Sequence, residues 1–367
     1  MSPRKASSRP RPPLRISKKA VWINVGLVVM IVSVLLAYAM FADGAEIFFG
    51  ALESLRWKWI WVALALMGIY LGCELMSLHV ACRIAGQRIR LSSLLSVSMI
   101  GQFYGVITPM ATGAQPAQLY YLTRLGASVG KSAFTLLAKF IAFQVVLTLL
   151  AGGLLASRWS FFSAHYGSLT WVALPAFAVH VAVVLALLII ALSTTVARRI
   201  ANFGIRIYTR LRKSADAKSL YAGASAQIRK FGNASAQLSG NRWGMLAINL
   251  VTVVQMVSFY LIPGAVLKAF GGTLPDVITL LAAAAVVTML QTAMPLPAGA
   301  GAAEGGFAAF FALFLPNGAT VVAALLTWRA ITLLVPIVVG LPFLFLVELQ
   351  VAQAQFNARV DSFDYSD

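Results

Sequence analysis

Several stretches of this chain run for about twenty residues or more with almost no charge, and that limits what it can fold into. A helix of about 20 apolar residues crosses the ~30 Å hydrocarbon core of a bilayer. In lipid every backbone N–H and C=O has to be paired within the chain, which leaves helices or a closed barrel. These runs are continuous rather than alternating, so helices are selected. The chain as a whole agrees: 60% of its residues are hydrophobic, 11% are charged, and mean hydropathy is +0.84.

The sequence therefore reads as an all-α polytopic membrane protein, with full transmembrane helices expected at 20–42, 59–81, 131–156, 170–193, 243–268 and 319–347. The first of these, Val21 to Phe41, follows seven basic residues. It is too long for the roughly 7–15-residue core of a signal peptide and is read as a signal anchor. Residues 1–19 hold those seven basic side chains and four prolines, and read as a disordered basic cytoplasmic tail. Residues 20–349 form a single membrane domain, and 350–367 a cytoplasmic tail.

Two further apolar stretches behave differently. Residues 91–108 are diluted by Ser92, Ser93, Ser96, Ser98, Gly101, Gln102 and Gly105, and stop at Thr108-Pro109. After Gly113, the segment Gln115 to Leu125 is ~16 Å of helix, half a bilayer. Residues 277–294 likewise run into Pro295-Leu296-Pro297, then Gly299, Gly301, Gly305 and Gly306, with a short leg ending near Leu315. Proline removes an N–H and glycine admits unusual backbone angles, so each stretch reads as a re-entrant or broken-helix hairpin. The breaks are expected at Pro109, Gly113 and Pro116, and at Pro295, Pro297, Gly299 and Gly301. Irregular backbone at membrane depth requires cover from protein or a wet cavity.

A net charge of +18 invites a nucleic-acid reading, but the placement of the charge argues against it. The basic residues lie in tails and loops beside apolar segments, without the aromatic interleaving of a nucleic-acid surface. With the first hairpin open to the cytoplasm and the second to the outside, 23 of the 29 Lys and Arg fall inside and four outside. That asymmetry satisfies the positive-inside rule and puts both termini in the cytoplasm of a bacterial inner membrane. The order span, span, hairpin, span occurs at 20–156 and again at 170–347, which reads as an inverted-topology repeat. Between the first two spans of the second half lies a basic cytoplasmic loop, 194–242. Its Ile200, Phe203, Ile207 and Leu211 recur at helical spacing among arginines. An interfacial helix on anionic lipid and a plain charged linker both fit.

Ionisable side chains within a bilayer are costly, which singles out Glu74, Lys139, Glu304 and Arg329. Lys139 lies ~12 Å into its helix and Arg329 ~15 Å into its own, each in the span after a hairpin. They either pair with Glu74 and Glu304 or receive the phosphate or other anion of a lipid headgroup. Half-helices starting near Gly113-Ala114-Gln115 and at Gly299 to Glu304 would offer free N–H groups to the same anion. Glu304 either caps its helix or takes up a proton, and Gln115, Gln118 and Gln102 add polar lining. Cys73, Cys82, His79, His165 and His180 form no metal-ligand or disulfide pattern, and no Walker, nucleophile-elbow or zinc-protease motif occurs. No cofactor is expected.

The residues Phe103-Tyr104-Gly105 through Thr108-Pro109, then Gly113-Ala114-Gln115-Pro116 and Tyr120-Tyr121, resemble the flippase-like transmembrane region of lysylphosphatidylglycerol synthases. Pro295-Leu296-Pro297-Ala298-Gly299-Ala300-Gly301, Glu304-Gly305-Gly306 and Trp328-Arg329 are similar to that family's second motif. The chain has Gly113-Ala114 where the family often has two glycines, and Ala298-Gly299 after the proline; both keep small residues. The resemblance implies movement of an anionic lipid or lipid-linked substrate between leaflets, with Lys139, Arg329, Glu304, Gln115 and Glu74 meeting the headgroup. The family's aminoacyl-transfer domain is not expected in this chain. Two other classes stay open: an intramembrane enzyme acting on a lipid headgroup, and a non-catalytic partner of an envelope-lipid biosynthetic enzyme.

Overall fold

A computed structural model describes residues 53–211 and 217–363, with isolated positions 26 and 50. The basic tail and, apart from position 26, the expected first span at 20–42 lie outside these described residues. Everything else of regular structure among them is helical. We label the helices α1 (Trp57–Ile84), α2 (Leu91–Ile107), α3 (Ala114–Arg124), α4 (Val129–Ser157), α5 (Trp159–Leu192) and α6 (Thr194–Leu211). They continue as α7 (Ala217–Gly240), α8 (Arg242–Ala269), α9 (Val277–Ala293), α10 (Ala302–Phe311), α11 (Gly318–Arg329) and α12 (Val335–Phe363). Among the described residues five helical stretches are long and apolar enough to cross a membrane: Trp57–Ile84, Val129–Ser157, Leu174–Leu192, Arg242–Ala269 and Gly318–Val351.

These match five expected spans, with three differences. Helix α5 begins at Trp159, well before residue 170, and bends at Tyr166, whose φ of −133° and ψ of 29° leave the helical range. The span at 319–347 is not one uninterrupted α-helix, because a five-residue π turn at Ala330–Leu334 separates α11 from α12. A π turn inserts a wider ring into the hydrogen-bond ladder and reorients the side chains beside it. Helix α12 then continues to Phe363, so the stretch read as a C-terminal tail is largely helical.

Both expected breaks occur, and their local chemistry explains them. Thr108, before a proline, is extended and ends α2; its hydroxyl donates to Tyr104 O at 2.6 Å and accepts from Gly113 N at 2.9 Å. Met110 and Ala111 follow with φ of 51° and 54°, and α3 starts after Gly113. Pro116 sits in the first turn of α3, where its missing N–H would have had no helical partner, so it starts the helix rather than breaking it. At the second break Met294 is extended before Pro295, and Ala298, Gly299 and Gly301 take φ of 52°, 62° and 83°. Gly299 has no substitute there, because a Cβ would lie 2.5 Å from the backbone oxygen of Gln291.

Packing then sets the frame around these breaks. Helix α1 lies along α8, α12 lies along α2, and α9 contacts α4 and α10. Gly340 lets α12 approach closely, since a Cβ there would meet Phe103 Cβ at 2.6 Å. Helix α7 docks on the start of α4: Gly130 N donates to Gln227 Oε1 at 2.9 Å, and Phe134 meets Phe231 edge-on. The two breaks come together as an antiparallel bridge between Pro109 and Pro297.

Candidate functional site

Beside that bridge is a cavity of about 440 Å3, within the range of small-molecule sites. Its lining draws on α1 to α5, α8, α9 and α11, together with both breaks. Of the residues singled out from sequence, Glu74, Gln115, Lys139 and Arg329 line it, as do Gly299 and Ala298. Glu304 is not among the lining residues; it stands behind Arg329 as that residue's partner. The four ionisable residues are each less than a tenth exposed.

Each cation is matched by its own carboxylate. Lys139 forms an ion pair with Glu74 Oε1 and donates to Gln118 Oε1 at 3.2 Å. Gln118 Nε2 in turn donates to Glu74 Oε1 at 3.2 Å, and Gln255 Nε2 to Glu74 Oε2 at 3.2 Å. A buried charge needs both an opposite charge and hydrogen bonds to be tolerated, and Glu74 has them from three different helices. Gly101 makes room for this: a Cβ on α2 would lie 2.2 Å from Gln118 Nε2. The close passage of α2 over α3 therefore seats the glutamine that bridges the pair.

The second pair is built on the second break. Arg329 Nε lies 2.8 Å from Glu304 Oε1, close enough for an ion pair though poorly aligned for a hydrogen bond. Glu304 Oε2 accepts from Gly301 N at 2.7 Å, so the carboxylate also caps α10. Arg329 donates through both terminal nitrogens to Ala298 O, at 3.2 and 3.3 Å, and Gln291 Nε2 donates to the same oxygen at 3.0 Å. One carbonyl freed by the break thus anchors a cation from α11 and an amide from α9. Both the capping and the pairing expected of Glu304 are present.

Sequence reasoning missed several members of the site. Gln255, mid-way along an apolar span, completes the coordination of Glu74, and its isolation there was the available signal. His180 lines the cavity, and its Nε2 contacts Met289 O at 3.3 Å. Thr292 Oγ1 lies 3.3 Å from the same nitrogen, and in a neutral ring the nitrogen that faces the carbonyl carries the proton. Ser77, Gln144, Thr288, Gln291 and Thr292 add neutral polar groups to the walls.

The expected pairing and the expected breaks thus converge on one chamber. The chain is similar to a UPF0104 membrane protein of Archaeoglobus fulgidus, 25% identical over an alignment of 300 residues that covers 78% of this chain and 86% of that protein. The family model described as the lysylphosphatidylglycerol synthase TM region matches residues 21–340, which include both breaks and all four ionisable residues. This multi-pass membrane protein belongs to the lysylphosphatidylglycerol synthase TM-region family.

Proposed function

We propose that the chain moves an anionic lipid or lipid-linked substrate between the leaflets of a bacterial inner membrane. The observation that carries this reading is the pair of closed ion pairs bordering one cavity at the junction of two broken helices. Burying four charges in an apolar bundle is costly and serves packing poorly, so such groups tend to mark a substrate path. An anionic headgroup entering the cavity competes with Glu74 for Lys139 and with Glu304 for Arg329. Exchanging one anion for another keeps the charge balanced throughout, while the acyl tails stay in lipid.

In this reading 91–125 and 277–315 are re-entrant hairpins, six helices span the membrane, and the two halves are inverted repeats. Lys139 and Arg329 are then equivalent residues on opposite halves, and the termini face the cytoplasm. The meeting of the breaks at Pro109 and Pro297 supports this arrangement, as does the like sequence of events at each: extended residue, proline, left-handed residues, short helix. Alternating access would part the breaks on one side at a time around the cavity.

The test is leaflet exchange of a fluorescent anionic lipid in vesicles reconstituted with the purified protein. The wild type should accelerate exchange over protein-free vesicles, and Lys139→Ala with Arg329→Ala should return it to background. Unchanged exchange in the double variant would sink the assignment. A chemically altered lipid, detected by mass spectrometry, would favour an enzyme instead.

A further inference from the structure

Helix α6 turns its apolar stripe outward. Ile200 and Phe203, three residues apart on one face, are 51% and 63% exposed. The sequence continues that stripe at Ile207 and Leu211, at four-residue steps. The half-buried positions Asn202, Ile205 and Thr209 recur at i, i+3 and i+7 on the opposite side, and two of them are polar. The packed side of α6 is therefore more polar than its open side, the reverse of a helix folded against a protein core. Arg199, Arg206 and Arg210 are exposed, and helical spacing puts them along one border of the stripe. None takes part in an ion pair among the described residues, and α6 contains no Asp or Glu.

The fold holds this helix beside the ends of the spans. The span in α5 ends at Leu192 and the next starts at Arg242, and neither α6 nor α7 is apolar enough to cross between them. The segment from 193 to 241 therefore leaves and re-enters the bilayer at the same surface. Extended Ser193 turns the chain between α5 and α6, and its hydroxyl accepts from Val196 N at 3.3 Å. Helix α7 is tied to the span ends: the Ser235 hydroxyl donates to Ala191 O at 2.8 Å, and Gln227 accepts from Gly130 N. Helix α6 packs against α7, which keeps it close to that surface. We propose that α6 is a docking surface for anionic phospholipid, with Ile200 and Phe203 among the acyl chains and the three arginines on lipid phosphates. Charge selects this occupant, since residues 194–242 hold ten Lys and Arg against one acid, Asp216. Proximity selects it too, because the nearest apolar phase to a helix that starts two residues past a span is the bilayer itself. Arginine stems reach from the acyl boundary to the headgroups, and the planar guanidinium meets a phosphate with two hydrogen bonds. The surface is independent of what the cavity carries.

The experiment uses the full-length protein with Cys73→Ala, Cys82→Ala and Phe203→Cys, carrying a small fluorophore at position 203. It is placed in nanodiscs that mix phosphatidylcholine and phosphatidylglycerol. Either lipid in turn carries brominated acyl chains, which quench a fluorophore they touch. Molecule for molecule, brominated phosphatidylglycerol should quench about fivefold more, the preference that one arginine at an anionic surface supplies. Arg199→Gln with Arg206→Gln and Arg210→Gln should bring that ratio close to one. A fluorophore at Asn202→Cys, on the packed side, should be quenched far less by either lipid. Absence of bromine quenching at 203, or equal quenching by the two lipids with the arginines in place, overturns the proposal. Emission that instead falls with the number of protein copies per disc overturns it in favour of a second copy of the chain. The unmodified protein gives a reading that needs no variant. Amide hydrogen exchange across residues 196–210 should slow severalfold when phosphatidylglycerol is added to phosphatidylcholine discs, and an unchanged rate also overturns the proposal.

Discussion

Pro109 and Pro297 face one another across an antiparallel backbone bridge, each the pivot of a broken helix in its own half of the chain. Neither has an N–H to give, so the pair sits opposite without bonding directly, the closer of the two antiparallel spacings. Opposed residues of that kind lie ~4.5 Å apart between Cα atoms, inside the roughly 4.4–6.8 Å that a disulfide spans. Pro109→Cys with Pro297→Cys, with Cys73 and Cys82 replaced by alanine, should therefore lose its free thiols on oxidation. If the breaks part during transport, the cross-linked form should exchange lipid at least about tenfold more slowly and recover on reduction, a difference of ~1.4 kcal/mol in barrier. Exchange that ignores the cross-link would show that the breaks stay together.

Gly299 and Gly301 both have positive φ, yet they should respond differently to alanine. At Gly301 nothing lies within 4 Å of an added Cβ, so Gly301→Ala meets only the backbone penalty of about 1–3 kcal/mol. At Gly299 the Cβ would lie 2.1 Å from Gln291 Cγ and 2.5 Å from Gln291 O, so the break has to move. The neighbouring Ala298 carbonyl that holds Arg329 moves with it. Thermal unfolding in detergent should rank Gly299→Ala well below Gly301→Ala, and equal losses would mean the turn is more forgiving than its geometry indicates.

The contrast between these glycines also marks how far sequence reading reaches. Five of the six expected spans appear as long apolar helices, because hydrophobicity and length are local properties of a segment. The breaks were legible for the same reason: proline after Thr108 and after Met294 forces extended backbone wherever the chain goes. What could not be read was choice of partner. Glu74 takes Lys139 rather than Arg329 because α3 delivers Gln118 past Gly101 and α8 delivers Gln255. That depends on packing between segments far apart in the chain. The π turn after Arg329 was hidden too, since nothing in Ala330–Leu334 departs from ordinary helical composition.

Outside the apolar spans, Asp276 ties the start of α9 to the junction of α4 and α5. Its carboxylate accepts from the Thr279 hydroxyl at 2.6 Å, from Thr279 N at 3.1 Å and from Arg158 at 2.6 Å. The Thr279 hydroxyl, followed by the Thr279 amide and Arg158, outweighs the small desolvation and holds the carboxyl below its ordinary range. A depressed folded value stabilises the protein above the unfolded value of about 3.9 and is lost as pH falls through the folded one. The melting temperature should therefore decline on acidification below about pH 4, and Asp276→Asn should decline less steeply. Asparagine still caps the helix, so the comparison isolates the charge. Parallel acid profiles for the two proteins would remove Asp276 as a contributor.

Arg329 and Glu304 give the sharpest separation between a pair and its parts. Arg329→Met leaves Glu304 buried with a single backbone N–H for company, and an orphaned buried charge costs about 3–5 kcal/mol. Adding Glu304→Gln removes that charge while the amide can still accept from Gly301 N, so much of the loss should return in the double variant. Ala298 O keeps its bond from Gln291 in both cases, so the break itself remains supported. Unfolding measured across the two single variants and the double variant should give a coupling of roughly 2–3 kcal/mol, at the upper end for residues in contact. Additive losses would mean that the cap and the carbonyl anchor, rather than the ion pair, hold this end of the cavity together.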